Sequence, residues 1–363
     1  MIYCEKCLGK VCCDLYAKVT IKMRKYDFII IGGGPAGAVF AKNLDEKYTS
    51  CMIYTETQKP CGGLLSEDAQ KYFADRNIDL PKEISADSRI SCVDTIDIHQ
   101  NLLRKYRRYY LNVDRLKFDE WLRRFVPEKT EKIRGTATKI SKTDGGVEVT
   151  VVSGGEEITV AGKYLIGADG GDSTVRKSIF PDQKIRRYVS IQQLFKLNSA
   201  VPNYACIFDE KSTECCAWII KKGDNMLFGG AFAAKNCRES FERLKKRVEN
   251  YGIHLGEPIT TEACMLARPR NTGQIFLGER NVFLAGEAAG FVSPSSFEGI
   301  SRAMYSAEAL AKAFNTKNPL KYYKKHTAYL RFVIFLKLLK CPFMYSPFLR
   351  KAVMKSGITA VEE

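Results

Sequence analysis

The chain has 363 residues, of which 45% are hydrophobic and 11% aromatic, and its formal net charge is +16. This length allows more than one buried core, and the composition excludes a disordered or fibrous chain. No window of about 18 uncharged apolar residues occurs, so no bilayer-spanning helix is predicted. The positive charge favours anionic partners, and a solvated basic face is the alternative. Because no nucleic-acid-binding motif accompanies the charge, we do not expect nucleic acid as a partner.

Residues 1–22 precede the first predicted element and do not resemble a signal peptide. Acidic residues and cysteines interrupt any apolar stretch there, and no small-residue cleavage site follows one. The cysteines Cys4, Cys7, Cys12 and Cys13 match no standard four-ligand spacing, so we predict no metal site. We interpret the segment as an N-terminal extension. The thirteen cysteines of the whole chain indicate reduced thiols and a cytoplasmic protein.

A short buried strand at residues 26–31 precedes a glycine-rich turn and a helix from Ala36 to about Lys47. A second strand at 51–54 gives the beginning of a βαβ unit. In such a unit the glycines let the backbone approach a diphosphate, and the helix N-terminus supplies free N–H groups and partial positive charge. The turn therefore predicts a dinucleotide site formed by Gly32, Gly34, Pro35, Ala36 and Gly37.

Glu56 lies at the end of the second predicted strand, about 20 residues after the glycine turn. A carboxylate at this spacing accepts hydrogen bonds from the adenosine ribose hydroxyls, and it repels a 2′-phosphate. We therefore expect Glu56 to bind the ribose of a cofactor other than NADP. A surface glutamate with no ligand is the alternative.

Further along the chain, helical spacing of apolar residues predicts a helix at 115–126. Alternating apolar residues at 147–152 and 157–160 predict a hairpin around two glycines. A short buried strand at 164–166 leads into a second glycine-and-acid motif, Gly167-Ala168-Asp169-Gly170.

Residues 187–267 are rich in predicted strands, with one amphipathic helix near 238–251. A third motif, residues 286–290, then follows a buried strand at 282–285 and precedes a helix at 298–314. Three such motifs in this order predict FAD. The predicted fold class is α/β, with a discontinuous Rossmann-like FAD-binding domain, an inserted and mostly antiparallel β-sheet substrate domain, and a helical C-terminal segment. The FAD-binding domain is predicted to comprise residues 23–80, 110–182 and 265–320. The substrate domain comprises 81–109 and 183–264, and the C-terminal segment comprises 321–363.

The second and third motifs resemble those of the hydroxybenzoate-hydroxylase-type flavoproteins. The resemblance lies in the pattern Gly-Ala-Asp-Gly-x-x-Ser-x-x-Arg at 167–176 and in the residues from 286 to 300. It implies that the acid of the third motif, here Glu where the family has Asp, binds the ribityl chain, and that the following helix points its N-terminus at the flavin ring. The cofactor-binding residues implied are Arg115, Asp169, Gly170, Gly286, Glu287, Gly299 and Ile300. For Arg115, which resembles the family's phosphate-binding arginine, a solvated residue at the start of a helix is the alternative.

The segment Pro60-Cys61-Gly62-Gly63 resembles the loop beside the isoalloxazine in the geranylgeranyl reductase family. This resemblance implies that Cys61, Gly62 and Gly63 contact the cofactor. Cys61 is then a candidate catalytic residue as a proton donor, with a positioning residue or a small buried side chain as alternatives. A second family segment, aromatic-x-Trp-x-Phe-Pro-Lys, is matched by Trp218 without the proline. We place Trp218 and Phe228 in the substrate pocket.

The tail from residue 329 is apolar with basic residues at intervals, and we expect Pro342 and Pro347 to interrupt its helix. A helix packed on the body is one interpretation, and peripheral contact of 329–363 with anionic lipid is the other. The expected location is therefore cytoplasmic, with the inner face of the membrane as the open alternative.

Three functions fit the motifs. The first is reduction of carbon–carbon double bonds in an isoprenoid or other apolar substrate, with electrons from NAD(P)H or a small acidic redox protein. The second is a flavin-dependent monooxygenase or halogenase of the same fold, since Trp218-x-Ile220 partly resembles a halogenase motif. The third is a membrane-associated, flavin-containing resistance factor without turnover.

Overall fold

The computed structural model describes residues 23–56, 59–197 and 200–361, and the four N-terminal cysteines lie outside them. Within these residues the strands are β1 (Arg24–Ile31), β2 (Ser50–Tyr54), β3 (Leu64–Ser66), β4 (Ile90–Asp97), β5 (Leu102–Asn112), β6 (Thr130–Arg134), β7 (Thr136–Thr143), β8 (Gly146–Ser153), β9 (Glu156–Gly167), β10 (Arg187–Lys196), β11 (Tyr204–Phe208), β12 (Ala217–Lys222), β13 (Asn225–Phe232), β14 (Pro258–Ala267), β15 (Gly278–Glu279) and β16 (Val282–Leu284). The helices are α1 (Pro35–Asn43), α2 (Glu67–Ala74), α3 (Arg115–Arg123), α4 (Thr174–Ile179), α5 (Cys237–Asn250), α6 (Ile300–Ala313), α7 (Pro319–His326), α8 (Ala328–Tyr345) and α9 (Pro347–Ser356).

The first sheet has the strand order β15-β16-β9-β1-β2-β6. The strand β8 also pairs with β9, and β7 pairs with β8. Its centre is parallel, with Ile30 of β1 opposite Met52 of β2 and Ile166 of β9. A central parallel strand is covered on both faces, which explains why residues 28–31 form an uninterrupted apolar run. Phe28 is fully buried there. Its ring contacts the ring of Phe40 in α1 and that of Phe314, directly after α6.

The second sheet has the order β14-β10-β13-β12-β11-β4-β5-β3 and is antiparallel except where β11 runs parallel to β4. The helix α5 covers one face, where Phe241 stacks on Phe228. The α/β fold class is thereby confirmed, with a Rossmann-like sheet and a mostly antiparallel one. The strands β4 and β5 were not predicted. The second sheet also contains β3, and its strand β14 extends to Ala267, so both lie partly outside the segments assigned to the substrate domain. The predicted domain bounds stay a prediction.

The described part of the C-terminal segment contains α7, α8 and α9, and one expectation about it was wrong. Pro342 does not end α8, which continues to Tyr345. The helix ends before Ser346, whose extended backbone (ψ 121°) is the conformation that the following Pro347 imposes. Among the described residues no single helix is long and apolar enough to cross a bilayer. Only α8 and α9 together, bent by 90°, have the required length and composition.

Candidate active site

A cavity of about 430 Å³ lies between the glycine turn after β1, the loop 59–63 and the second sheet. Most residues predicted to bind the cofactor line this cavity, namely Gly32, Gly34, Pro35, Ala36, Glu56, Cys61, Gly62, Gly63, Arg115, Asp169, Gly170, Glu287, Gly299 and Ile300. Gly37 and Gly286 do not line it. A Cβ on Gly286 would lie 3.0 Å from the Cβ of Ala36, so this glycine permits packing behind the cavity wall.

The glycine turn leaves an open cradle in front of the N-terminus of α1. Gly32 has φ +111°, and a Cβ there would lie 2.3 Å from the carbonyl oxygen of Ala168. A Cβ on Gly37 would lie 1.8 Å from the carbonyl oxygen of Gly32, so α1 packs directly on the turn. At Gly34, in contrast, the nearest atom is Nη2 of Arg115 at 3.8 Å. No side chain in the described part of the chain caps α1, whose free N–H groups therefore suit a diphosphate.

Arg115 provides positive charge beside this cradle. Asp114 caps α3 by accepting hydrogen bonds from the N–H groups of residues 116 and 117, which places Arg115 in the first turn. Its Nε donates to Oδ1 of Asp119 at 2.9 Å, and only 8% of the residue is exposed. Burial alone would lower the pKa of Arg115, but Asp119 and the neighbouring Cys61 raise it above its usual value. The guanidinium is therefore charged at all working pH values.

The carboxylate of Glu287 joins the third motif to two other segments. Its Oε1 accepts a hydrogen bond from the N–H of Ala267 at the end of β14 (2.8 Å), and its Oε2 forms an ion pair with Lys59. Burial alone would lower the pKa of Lys59, but the charge of Glu287 raises it above the usual value. The contact between Glu287 and the ribityl chain stays a prediction. The sequence analysis did not predict the contacts of Glu287 with Lys59 and Ala267.

The acid and the arginine of the second motif also make contacts within the protein. Asp169 accepts hydrogen bonds from the hydroxyl of Ser173 (2.6 Å), the N-cap residue of α4, and from the N–H of Val175 in the first turn of that helix (3.1 Å). Burial raises the pKa of Asp169 above its usual value, although these hydrogen bonds act against the rise. Arg176 donates to the carbonyl oxygen of Ala288 at 2.9 Å. The second motif is thereby fixed to the third.

Glu56 lies where the adenosine end of a dinucleotide is expected. It is largely exposed and forms an ion pair with Nε of Arg134 at 3.1 Å. The guanidinium of Arg123 lies over the ring of Tyr54 and donates to the carbonyl oxygen of Gly33 at 3.1 Å. An exposed ion pair of this kind contributes little to stability, so Glu56 can exchange it for ribose hydroxyls.

Cations surround the loop that carries Cys61. The N–H of Gly63 donates to Sγ of Cys61 at 3.4 Å, and the thiol lies next to Arg115. Nζ of Lys222 donates to the carbonyl oxygen of Val113 at 3.0 Å behind the same loop. Burial lowers the pKa of Lys222 to about 8. Sequence reasoning missed Lys222, because nothing in the local pattern of β12 distinguishes it from Lys221.

The second sheet forms the other wall of the cavity, with Trp218, Tyr204 and Tyr110 among its lining residues. The hydroxyl of Tyr110 donates to Oε1 of Glu298 at 2.5 Å, and the ring of Tyr204 meets that of Tyr110 edge-on at 5.7 Å. Sequence reasoning did not identify this pair. Its one available signal was the position of Glu298, directly before Gly299 of the third motif.

The prediction that Phe228 lines the pocket was wrong. Phe228 pairs with Ile219, whereas Trp218 pairs with Gly229. Because successive side chains of a strand point to opposite faces, Phe228 and Trp218 lie on opposite sides of the sheet. Phe228 is fully buried against Phe241 of α5, and it belongs to the core.

Comparisons with known proteins agree with this geometry. The model of the family described as FAD binding domain matches residues 128–317, and that of lycopene cyclase protein matches residues 27–194. The protein CbrA of Escherichia coli O9:H4 (strain HS) is 38% identical over 94% of this chain and 96% of its own. The cofactor of the chain is FAD.

Solved structures with this fold have several activities. A geranylgeranyl bacteriochlorophyll reductase-like protein from Thermoplasma acidophilum has a TM-score of 0.72 at 16% identity, covering 91% of this chain and 90% of its own. The p-nitrophenol 4-monooxygenase PnpA from Pseudomonas putida DLL-E4 has a TM-score of 0.69 at 14% identity, covering 92% and 94%. The flavin-dependent brominase Bmp2 has a TM-score of 0.63 at 19% identity, covering 91% and 92%. Such low identities establish the fold and leave the reaction open.

The cradle at Gly34 gives a direct test of cofactor binding. The variant Gly34→Ala should weaken FAD binding by about tenfold or more, because its methyl group would occupy the space in front of Arg115 that the diphosphate needs. The dissociation constant is measured by titrating the apoprotein with FAD. Gly145→Ala is the control, since no atom lies within 4 Å of a Cβ there. Equal affinities for the two variants would contradict this placement of the diphosphate.

The lowered pKa of Lys222 predicts a pH dependence of stability. Its pKa is about 8 in the folded protein against an ordinary value of 10.5, so the unfolded chain binds more protons between these two pH values. The free energy of unfolding of the wild type should therefore rise with pH relative to that of Lys222→Met, by up to about 1.4 kcal/mol per pH unit. Denaturant titrations from pH 7 to 10.5 measure this difference, with the exposed Lys235→Met as control. A pH-independent difference would argue against a neutral Lys222.

Proposed function

Since the chain belongs to the FAD-binding-domain family and is related to the CbrA proteins, we propose that it is an FAD-dependent oxidoreductase that reduces carbon–carbon double bonds. The substrate we propose is an isoprenoid or another apolar molecule. The observation that supports this most is the position of Cys61, whose thiol lines the same cavity as the apolar wall of Trp218 and Ile220. A proton source and an apolar surface thus lie together beside the cofactor-binding turn.

The chain's own residues would orient the substrate and supply the proton. FAD, when bound and reduced by the electron donor, would supply the hydride. Gly62 packs so closely on the second sheet that a Cβ there would lie 2.6 Å from Cδ1 of Ile220, which holds the loop of Cys61 against the apolar wall. In this proposal Cys61 gives its thiol proton to the substrate carbon that does not receive hydride. Arg115, adjacent to Sγ, stabilises the thiolate that remains.

The electrons would come from NAD(P)H or from a small acidic redox protein. The sequence has no second dinucleotide fingerprint, so a nicotinamide cofactor would bind transiently. The net charge of +16 would favour the approach of either anionic donor.

We also propose that residues 329–363 contact the membrane surface. The side chains of Tyr329, Phe332, Leu339 and Phe348 are each more than half exposed, although they are apolar. Exposed apolar groups of this number mark an interaction surface, and the interspersed lysines and arginines would suit anionic lipid.

The reaction is tested with geranylgeraniol as the probe. Holoprotein reduced under anaerobic conditions should convert it to a product with two additional hydrogen atoms, identified by mass spectrometry. Cys61→Ala should lower the rate about a hundredfold, because a positioned proton donor contributes at least this much. Cys92→Ala is the control, since Cys92 does not line the cavity.

Other products would decide against the reductase. A product with one additional oxygen atom, formed only when oxygen is admitted, would favour the monooxygenase. Two results together would favour a resistance factor without turnover. The alkene would be recovered unchanged, and the Cys61→Ala variant would still confer the cellular resistance phenotype.

Membrane contact is tested by flotation with vesicles that contain or lack phosphatidylglycerol. Replacing Phe332, Phe335 and Leu339 with serine should remove most of the vesicle-bound fraction, since it removes the exposed apolar area of α8. The matched control is Ile259→Ser, because Ile259 is equally exposed but lies on β14. Equal flotation of the triple variant and the control would end the membrane proposal.

A further inference from the structure

Two cysteines lie together in the wall of a second cavity, outside the residues predicted to bind the cofactor. This cavity, of about 520 Å³, lies between the second sheet and the helices α8 and α9. Cys206 and Cys216 both line it, and Cys216 also lines the first cavity. A small solute in either cavity can therefore reach the sulfur of Cys216, although only 6% of the residue is exposed.

The strand register places the two thiols on one face of the second sheet. Cys206 of β11 is opposite Trp218 of β12. The carbonyl oxygen of Cys216 accepts a hydrogen bond from the N–H of Ala231, which continues the pairing of β12 with β13 by one residue. Because side chains two residues apart in a strand share a face, Cys216 points to the same side as Trp218 and Cys206. The thiol of Cys206 donates a hydrogen bond to the sulfur of Cys216, so the two side chains are in contact.

The surroundings favour the thiolate of Cys216 over that of Cys206. The hydrogen bond from Cys206 lowers the pKa of Cys216, and the positive charge of Arg268 lowers it further, although burial acts in the opposite direction. The same hydrogen bond raises the pKa of Cys206, and burial raises it further. Since the thiolate is the reactive form of cysteine, Cys216 is the thiol that reacts first and Cys206 is the second thiol beside it.

The neighbouring cysteines have other partners. Sγ of Cys215 accepts a hydrogen bond from Nη1 of Arg268 at 3.3 Å, and burial raises the pKa of Cys215 to about 12. Sγ of Cys341 in α8 donates to the carbonyl oxygen of Lys337 at 3.3 Å. Neither of these two cysteines lines either cavity. Among the described cysteines, Cys206 is therefore the one whose position suits a reaction with Cys216.

We propose that Cys206 and Cys216 are a site of reversible oxidation by hydrogen peroxide, at which they form a disulfide. The thiolate of Cys216 attacks one oxygen of the peroxide, which breaks the O–O bond, gives a sulfenic acid and releases hydroxide. This hydroxide takes the proton of Cys206, whose sulfur then displaces the oxygen of the sulfenic acid. Two thiols thus lose two electrons and two protons, and one peroxide becomes two waters. An external dithiol of the thioredoxin class reverses the step by thiol–disulfide exchange.

Formation of the disulfide requires a small local movement. The two sulfur atoms must approach from hydrogen-bond contact to about 2.05 Å. Cys216 is the last residue of the connection 209–216 and precedes β12, so it can shift while the pairing of residues 217–222 is kept. Since Cys216 belongs to the walls of both cavities, oxidation would change the wall of the cofactor-binding cavity whichever reaction the protein catalyses.

The test is oxidation of the holoprotein by a limiting amount of hydrogen peroxide, without substrate or reductant. Free thiols are alkylated at intervals, and the peptides are analysed by mass spectrometry. The disulfide between Cys206 and Cys216 should form about tenfold or more faster than oxidation of any other described cysteine, because the rate follows the thiolate fraction. Thioredoxin with its reductase should restore both thiols. This measurement on the wild type needs no variant to fold.

Three variants separate the roles of the two thiols. Cys206→Ser should accumulate the sulfenic acid of Cys216, which dimedone traps, because the second thiol is missing. Cys216→Ser should leave Cys206 as a free thiol after the same exposure. Cys92→Ser is the matched control and should form the disulfide at the wild-type rate, since Cys92 is partly exposed and lines neither cavity.

The outcomes of this test do not depend on the reduction of geranylgeraniol. A disulfide that joins Cys216 to Cys215 or Cys341 would overturn the assigned pair. Oxidation of Cys216 no faster than that of Cys92 would overturn the oxidation site itself. Dimedone labelling of Cys206 in Cys216→Ser, at the rate seen for Cys216 in Cys206→Ser, would contradict the proposed order of the two steps.

Discussion

Two backbone contacts at the first glycine turn determine where the rest of the site lies. Gly37 packs on the carbonyl oxygen of Gly32, and Gly32 packs on that of Ala168, so closely that neither position has room for a Cβ. These contacts bring the N-terminus of α1 to the carboxyl ends of β1 and β9, the edge at which open α/β sheets bind their ligands. The anion cradle is thus a consequence of how the backbone packs. Arg115 reaches this cradle because the first turn of α3 lies beside Gly34.

The charged residues of the motifs then hold the motifs to one another. Asp169 accepts an N–H of the first turn of α4, Arg176 donates to the carbonyl oxygen of Ala288, and Glu287 joins Lys59 to Ala267. Such groups are buried at a cost unless they are paired, and each pairing also fixes a distance between segments far apart in sequence. Residues that a motif search assigns to the cofactor therefore also build the frame around it. The uncapped N-terminus of α1 and Arg115, the latter paired with Asp119, are positive groups that face the cradle.

The sequence predicted those parts of the site that depend on local pattern. Strand, glycine turn and helix follow from apolar periodicity and from the need for close approach at Gly32. The strand β5 was missed because Arg104, Lys105, Arg107 and Arg108 interrupt its apolar residues and hide the alternation. The hydrogen bond from Tyr110 to Glu298 joins residues 188 positions apart, and no local pattern predicts it. Phe228 was misplaced for a related reason, since the face of a strand depends on its register with β12.

The C-terminal helices belong to the body more firmly than their apolar sequence indicates. Arg350 of α9 bonds the buried Asp97, and Tyr345 of α8 donates to the carbonyl oxygen of Ser295 at 2.7 Å, beside the third motif. Removing residues 329–363 would leave Asp97 as an unpaired buried charge, which costs about 3–5 kcal/mol in comparable pairs. Loss of membrane binding in such a truncation would therefore report a damaged fold. Substitutions on the exposed face of α8 change the surface alone. Only such substitutions can therefore distinguish a lipid contact from the support that these helices give to the body of the protein.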